Sequence, residues 1–334
     1  MNDDAVCVSR IDWLAAIPSL RLFEAIRLAV SLRVALPVLL LMCLSWLGTD
    51  VFSWKFTAPN SADSGRSVVI QSSLELPDCL DTMNRSLTLI ATGTWSQLLV
   101  GIYLLSITML LLGFCGIAAM RCCGSRFCTG TGCGILATLK FSLQHWKSVL
   151  LSSLLSWILL SLLCLIYWFL RSIGDATHVG VTAIASLLYI VGCAILGIGW
   201  LLSLAAIAID RCDGAEALSR GISYVLARWL RVLVYTMVFF LVITICDLVV
   251  SWVLDHAHIL TTAIIKPGNS LLAKQSDSDA WTVLHHFAEM FGLSIFLCEI
   301  AIAYVLLRNI EDGVSLREVD GGGNSHRASP VSGN

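Results

Sequence analysis

The chain has 334 residues, of which 57% are hydrophobic and only 13% charged, where soluble domains carry roughly a quarter charged. That balance, with a mean hydropathy of +0.84, excludes an ordinary soluble domain and predicts an all-α polytopic membrane protein. Lys and Arg (21) nearly match Asp and Glu (23), for a formal charge of −2, so any electrostatic partner must be read from where the charges lie.

Residues 1–18 read as a short lead with an apolar patch from Ile11 to Ile17. Asp3 and Asp4 make it acidic, and no secretory leader is recognisable. Apolar runs long enough to cross hydrocarbon, about 20 residues each, then occur near 28–48, 97–120, 148–170, 179–209, 232–254 and 282–307. The first is interrupted by Arg33, which can snorkel to the interface from near a helix end. The sequence thus divides into a six-span domain over 1–312 and a Gly/Ser-rich tail over 313–334, expected to be disordered.

With the N-terminus inside, only Lys55, Arg66, Arg85, Arg171, Lys266 and Lys274 fall on outer segments, and the other 15 of 21 basic residues fall inside. The positive-inside rule then predicts both termini in the cytoplasm. Of the 13 cysteines only Cys79 is expected in an outer loop, so no intramolecular disulfide is expected. Asn84-Arg85-Ser86 fits a glycosylation acceptor, relevant only in a eukaryotic host. Of the three expected outer loops the first covers 49–96 and the third 255–281, the latter with a turn at Pro267-Gly268-Asn269.

Residues 206–234, AIAIDRCDGAEALSRGISYVLARWLRVLV, hold the clearest local signal. Asp213 as N-cap with Glu216 three residues on predicts a capping box. At about 100° per residue, Leu218, Ile222, Val225, Leu226 and Trp229 share one face, with Arg220, Arg228 and Arg231 opposite. Such a helix is expected in the membrane surface, tryptophan at headgroup level and arginines toward anionic lipid. The competing reading is an ordinary amphipathic linker. Aligning Trp146 with Trp229 sets Ile135, Leu139 and Leu143 opposite Leu218, Ile222 and Leu226, and adds Lys140, Trp146 and Lys147 to the expected lipid contacts. A weaker copy near the N-terminus, in RLFEAIRLAVSLRV, has Arg33 where the tryptophan would be. Three units of surface helix, span, outer loop and span follow, although interfaces alone can make three linkers look alike.

RLFEAIRLAV near the N-terminus, EALSR leading to YVLARW, and YVLLRNIEDG closing the last span together resemble a group of uncharacterised multi-pass inner-membrane proteins of planctomycete-type bacteria. The resemblance covers most of the chain and implies a bacterial cytoplasmic membrane and no known catalytic activity. The cysteine-rich stretch at 122–133 departs from the expected Ala- and charge-rich linker.

Chemistry-bearing residues are few. Cys122, Cys123, Cys128 and Cys133, read as one loop, are the only candidate metal ligands, but no C-x-x-C pair occurs, so no metal is expected. Glycines 130, 132 and 134 lack the strand and Lys-Ser/Thr of a phosphate cradle. Asp247, His285, His286 and Glu289 fall at similar depth if the last two spans are neighbours, with Glu299 deeper. They form a candidate intramembrane cluster for proton or cation relay, or else groups that fix helix packing. No nucleophile or protease motif occurs, so no enzyme and no cofactor are expected. The partners expected are anionic lipid, or a membrane protein, and not nucleic acid. Two readings result: a non-enzymatic organiser of lipid or of a partner protein, and an ion-coupled permease.

Overall fold

The computed structural model describes residues 18–56, 95–130, 133–177, 179–264 and 271–313, with 18–20, 45–56, 95–100, 172–179, 181, 255, 258–264 and 271–287 described by backbone alone. A 3-10 turn, Pro18–Phe23, precedes α1 (Glu24–Ala29), α2 (Leu32–Phe56), α3 (Trp95–Thr129), α4 (Ile135–Gln144), α5 (Trp146–Thr177), α6 (Val179–Asp210), α7 (Gly214–Ala227), α8 (Trp229–Ile264) and α9 (Leu271–Asp312). Helix is the only regular structure among the described residues, as in any chain that must satisfy its backbone within lipid without closing a barrel. Five helices are long and apolar enough to span a membrane, and six if the segments 21–29 and 32–44, bent by 72°, count as one span.

The helices repeat in threes, each a short helix followed by two long ones. The break between short and long helix is the same in the second and third units. His145 and Arg228 each donate a last helical bond to Phe141 and Tyr224, and each carbonyl then accepts from the residues three and four ahead, Ser148 and Val149 or Arg231 and Val232. The long helices therefore begin on Trp146 and Trp229, the two residues matched in the sequence alignment, slightly before the expected span starts near 148 and 232. In the first unit Ser31 plays this part toward Val34 and Ala35. Leu32, one residue before the expected Arg33, takes the tryptophan's place.

Each closing helix, α3, α6 and α9, is followed by a residue in the left-handed region: Gly130 (φ +74°), Arg211 (φ +59°) and Gly313 (φ +65°). The same three helices all touch one another. Over an 18-residue apolar stretch of each, 50%, 44% and 61% of residues are buried, against 22% for α5 and 11% for α8, so the closing helices form the centre and α5 and α8 the outside.

Several helices outrun their expected lengths. α3 continues through Thr129, so Cys122 and Cys123 are buried core residues on a helix, with Cys128 half-buried on it; only Cys133 lies beyond. The four-thiol loop is thereby corrected. Small residues let the α3 extension pack closely: Gly124 faces Ile209 of α6, and Cys123 donates to the Cys298 carbonyl at 3.8 Å. The polar stretch read as a loop over 255–281 is helical on both sides of 265–270, and α2 runs on to Phe56. Cys79, the Asn84 acceptor, the lead before Pro18 and the tail beyond Gly313 lie outside the described residues.

The amphipathic helix α7 forms over nearly the expected residues, but on a different footing. Asp213 has the extended N-cap backbone (φ −69°, ψ 155°) without a side-chain cap bond, and Glu216 turns to Arg220, so the capping box is absent. Its apolar face packs mainly on α6 and α5. Leu218 and Val225 are buried there and Ile222 is half-buried, while Leu226 and Trp229 stay exposed. Close approach depends on two glycines. A Cβ at Gly214 would strike the Ser148 carbonyl oxygen and sit 2.8 Å from the Ser152 nitrogen; one at Gly221 would strike the Gly199 carbonyl oxygen. Small residues that bring backbones together are a common device in membrane helix packing. Beneath them the Ser152 and Ser203 hydroxyls share a buried hydrogen bond of 2.7 Å.

Candidate functional site

The short helices and the ends of α3, α6 and α9 gather on one face, here the connector face. Its polar centre is Asp210, the last residue of α6, with a side chain only 7% exposed. Burying a carboxylate is costly unless it is paired and hydrogen-bonded. Here Tyr304 of α9 donates to Oδ2 at 2.5 Å, Arg220 of α7 approaches the same oxygen at 3.5 Å, and Arg308 of α9 stands 2.8 Å from Oδ1. The Arg308 contact is an ion pair without hydrogen-bond alignment.

From there a polar seam runs along α7 and α9. Arg220 also binds Glu216 at 2.6 Å, Tyr224 donates to Asp312 at 2.6 Å, and Arg228 donates to Glu311 at 2.7 Å. The Tyr224 and Tyr304 rings lie 5.8 Å apart. Burial, and then the bond to Asp312, hold the Tyr224 phenol above its usual range. Burial alone would lower the Arg220 pKa, but the neighbouring Glu216 outweighs it and holds the guanidinium above its usual range. Burial, with the charge of Asp210, pushes the Cys212 thiol up to about 11.

This seam joins EALSR, YVLARW and YVLLRNIEDG. Tyr304, Arg308, Glu311 and Asp312 were not singled out as site residues from the sequence. The available signal was the acid that ends both α6 and α9 together with the tyrosine in each YVL segment.

The expected lipid contacts divide. Arg220 and Arg228 are engaged by acids of the protein. Trp229 and Arg231 are exposed at the start of α8, as are Trp146 and Lys147 at the start of α5. Lys140 lies on a cleft of about 380 Å³ beside Arg121, Phe141, His145 and Arg211. Arg121 donates to the Ala208 carbonyl at 2.8 Å, and its guanidinium carbon lies 3.9 Å from the centre of the Phe141 ring, a cation–π arrangement. Phe141 in turn stacks on His145 at 4.0 Å.

The intramembrane acids are spread over different surroundings. Asp247 is exposed on α8, Glu289 is half-buried on α9, and Glu299 is 1% exposed with neither carboxyl oxygen hydrogen-bonded. The side chains of His285 and His286 lie outside the described residues. No group of three or more His, Cys, Asp or Glu among the described residues is placed to hold a metal ion, the four cysteines included.

Comparisons with protein-family models, with curated proteins and with solved structures gave no match.

Proposed function

We propose that this is a non-enzymatic multi-pass protein of a bacterial inner membrane, both termini cytoplasmic, that organises anionic lipid around its connector face. One observation carries the reading. At both His145 and Arg228 the same one-residue break delivers an exposed tryptophan and a nearby exposed cation, Trp146 with Lys147 and Trp229 with Arg231. Tryptophan favours the headgroup level, and each basic residue near an anionic surface contributes about 1 kcal/mol.

Because Arg220 pairs with Asp210 of α6 and Glu216 of α7, and Arg228 with Glu311 of α9, reversing them would disturb packing as well as lipid. The informative variant is Lys147→Glu with Arg231→Glu. Native mass spectrometry of protein extracted from phosphatidylglycerol-containing membranes should show clearly fewer bound anionic lipids than wild type. Equal retention by both proteins refutes the reading.

A second reading, an ion-coupled permease, is favoured by Glu299 alone, a fully buried acid whose carboxyl oxygens lack hydrogen bonds at membrane depth. Under that reading Glu299→Gln abolishes a pH-driven flux into proteoliposomes. A wild-type protein that supports no such flux above empty vesicles eliminates it.

A further inference from the structure

Helix α8 is the least buried of the five spanning helices, and its exposed face is not uniformly apolar. One side packs inward: Val232, Tyr235 and Val242 are buried, Cys246 is half-buried, and the Phe239 ring lies 5.1 Å from that of Phe296 on α9. At about 100° per residue, Met237, Phe240, Thr244, Asp247, Leu248 and Ser251 fall on the other side. All of these are exposed except Ser251, which is half-buried. Thr244, Asp247 and Ser251 therefore make a polar stripe, at spacings of three and four residues, within an apolar surface. Asp247 stands seven residues before Leu254, where the spanning stretch ends, or about 10 Å along the axis. An acid at that depth is costly toward lipid, and such residues face protein or a water-filled path.

Within the chain the stripe is unsatisfied. Hydroxyls elsewhere in the long helices donate to the carbonyl one turn back, Ser161 to Trp157, Thr236 to Val232 and Ser294 to Met290, each at 2.8 Å. Among the described residues Thr244 and Ser251 make no such bond, and Asp247 has neither a hydrogen bond nor an ion pair.

The chemistry of the stripe selects its occupant. An acceptor lies between two donors, and copies of one chain inserted the same way run their α8 helices parallel. A two-fold axis along the membrane normal brings the same face of each copy together and makes every contact twice. Thr244 and Asp247 are about 4.5 Å apart along the axis, so each hydroxyl can reach the carboxyl of the other copy. A cationic helix of a different protein would satisfy the acid and leave both hydroxyls without an acceptor.

We propose that the protein is a homodimer in the membrane, joined along α8 by reciprocal Thr244–Asp247 hydrogen bonds, with Ser251 on the other side of the acid and Phe240 and Leu248 supplying apolar contact. The pairing holds whether or not the connector face selects anionic lipid.

The test counts photobleaching steps of the full chain, carrying one fluorophore at its C-terminus, in phosphatidylcholine vesicles over a range of protein-to-lipid ratios. Wild type passes from one step to two as its density in the membrane rises. Asp247→Leu suits lipid and loses both reciprocal bonds, so it stays helical by circular dichroism while the dimer dissociation constant rises about tenfold or more. Thr244→Val keeps the shape without the donor and also weakens the dimer. Combining the two costs no more than Asp247→Leu alone, because both cut the same bond. Asp247→Asn retains an acceptor and stays within about threefold of wild type. Leu165→Ala, on the exposed side of α5, leaves the dimer unchanged. A wild-type protein that remains monomeric at every ratio overturns the pairing, and so does a dimer that Asp247→Leu leaves intact.

Discussion

Gly221→Val is expected to detach α7 from α6 and to cost about 3 kcal/mol or more, enough to deplete folded protein from the membrane. The added atoms would meet the Gly199 carbonyl oxygen and the Ser203 nitrogen, the latter 3.1 Å from the Cβ alone. These are backbone atoms of a packed helix, which cannot rotate aside as a side chain would. Relief requires moving one helix along its whole contact with the other. Gly197→Ala is the matched control, because nothing lies within 4 Å of its added Cβ. In a helix interior alanine gains up to about 1 kcal/mol over glycine, so this variant should be as stable as wild type or slightly more so. Thermal unfolding of the purified proteins in detergent distinguishes the two, and equal melting temperatures for Gly221→Val and wild type would show that α7 is not clamped in this way.

Asp210→Ala should destabilise by about 3–5 kcal/mol, the range for removing one partner of a buried ion pair. Arg308, with its side chain 18% exposed, would keep its charge and lose its counterion, and Tyr304 would lose its acceptor. Asp210→Asn keeps an acceptor for the phenol without the charge and should fall between alanine and wild type. Arg228→Ala is the contrast: its pair with Glu311 is 42% and 33% exposed, and solvent screening holds such pairs to about 1 kcal/mol or less. Unfolding measurements should therefore give the order Asp210→Ala, Asp210→Asn, Arg228→Ala, most damaging first. An Arg228→Ala loss as large as that of Asp210→Ala would contradict the placement of Asp210 at the polar centre.

The helical membrane class and the position of α6 were legible because uninterrupted apolar runs leave the backbone few alternatives in lipid. The tryptophan alignment matches the two residues on which α5 and α8 begin, but it does not reveal the breaks at His145 and Arg228: periodicity places Trp229 on the surface helix, and hydropathy starts the spans near 148 and 232. Helix ends were less legible. A polar sequence such as 121–129 reads as a loop when hydropathy is the only guide, yet it stays helical because Cys122 and Cys123 are buried against the protein. The inward face of α7 was legible in part: Leu218, Ile222 and Val225 pack inward, while Leu226 and Trp229 are exposed, and the partner helix was not legible. An apolar stripe specifies burial, and only the glycines at 199, 214 and 221 indicate that another helix covers it. The seam and the cleft were hidden for another reason. Both depend on pairing residues far apart in the chain, Asp210 with Tyr304 and Arg121 with Ala208. Periodicity within one segment carries no information about such pairs.

The most direct measurement is the selectivity of the lipid shell around the intact protein, by electron spin resonance with spin-labelled phosphatidylglycerol and phosphatidylcholine in the same reconstituted membranes. Exposed Lys147 and Arg231 beside Trp146 and Trp229 predict that the motionally restricted population is enriched in phosphatidylglycerol, and that salt reduces the enrichment. Equal association of the two lipids at low salt would contradict an anionic-lipid role for the connector face.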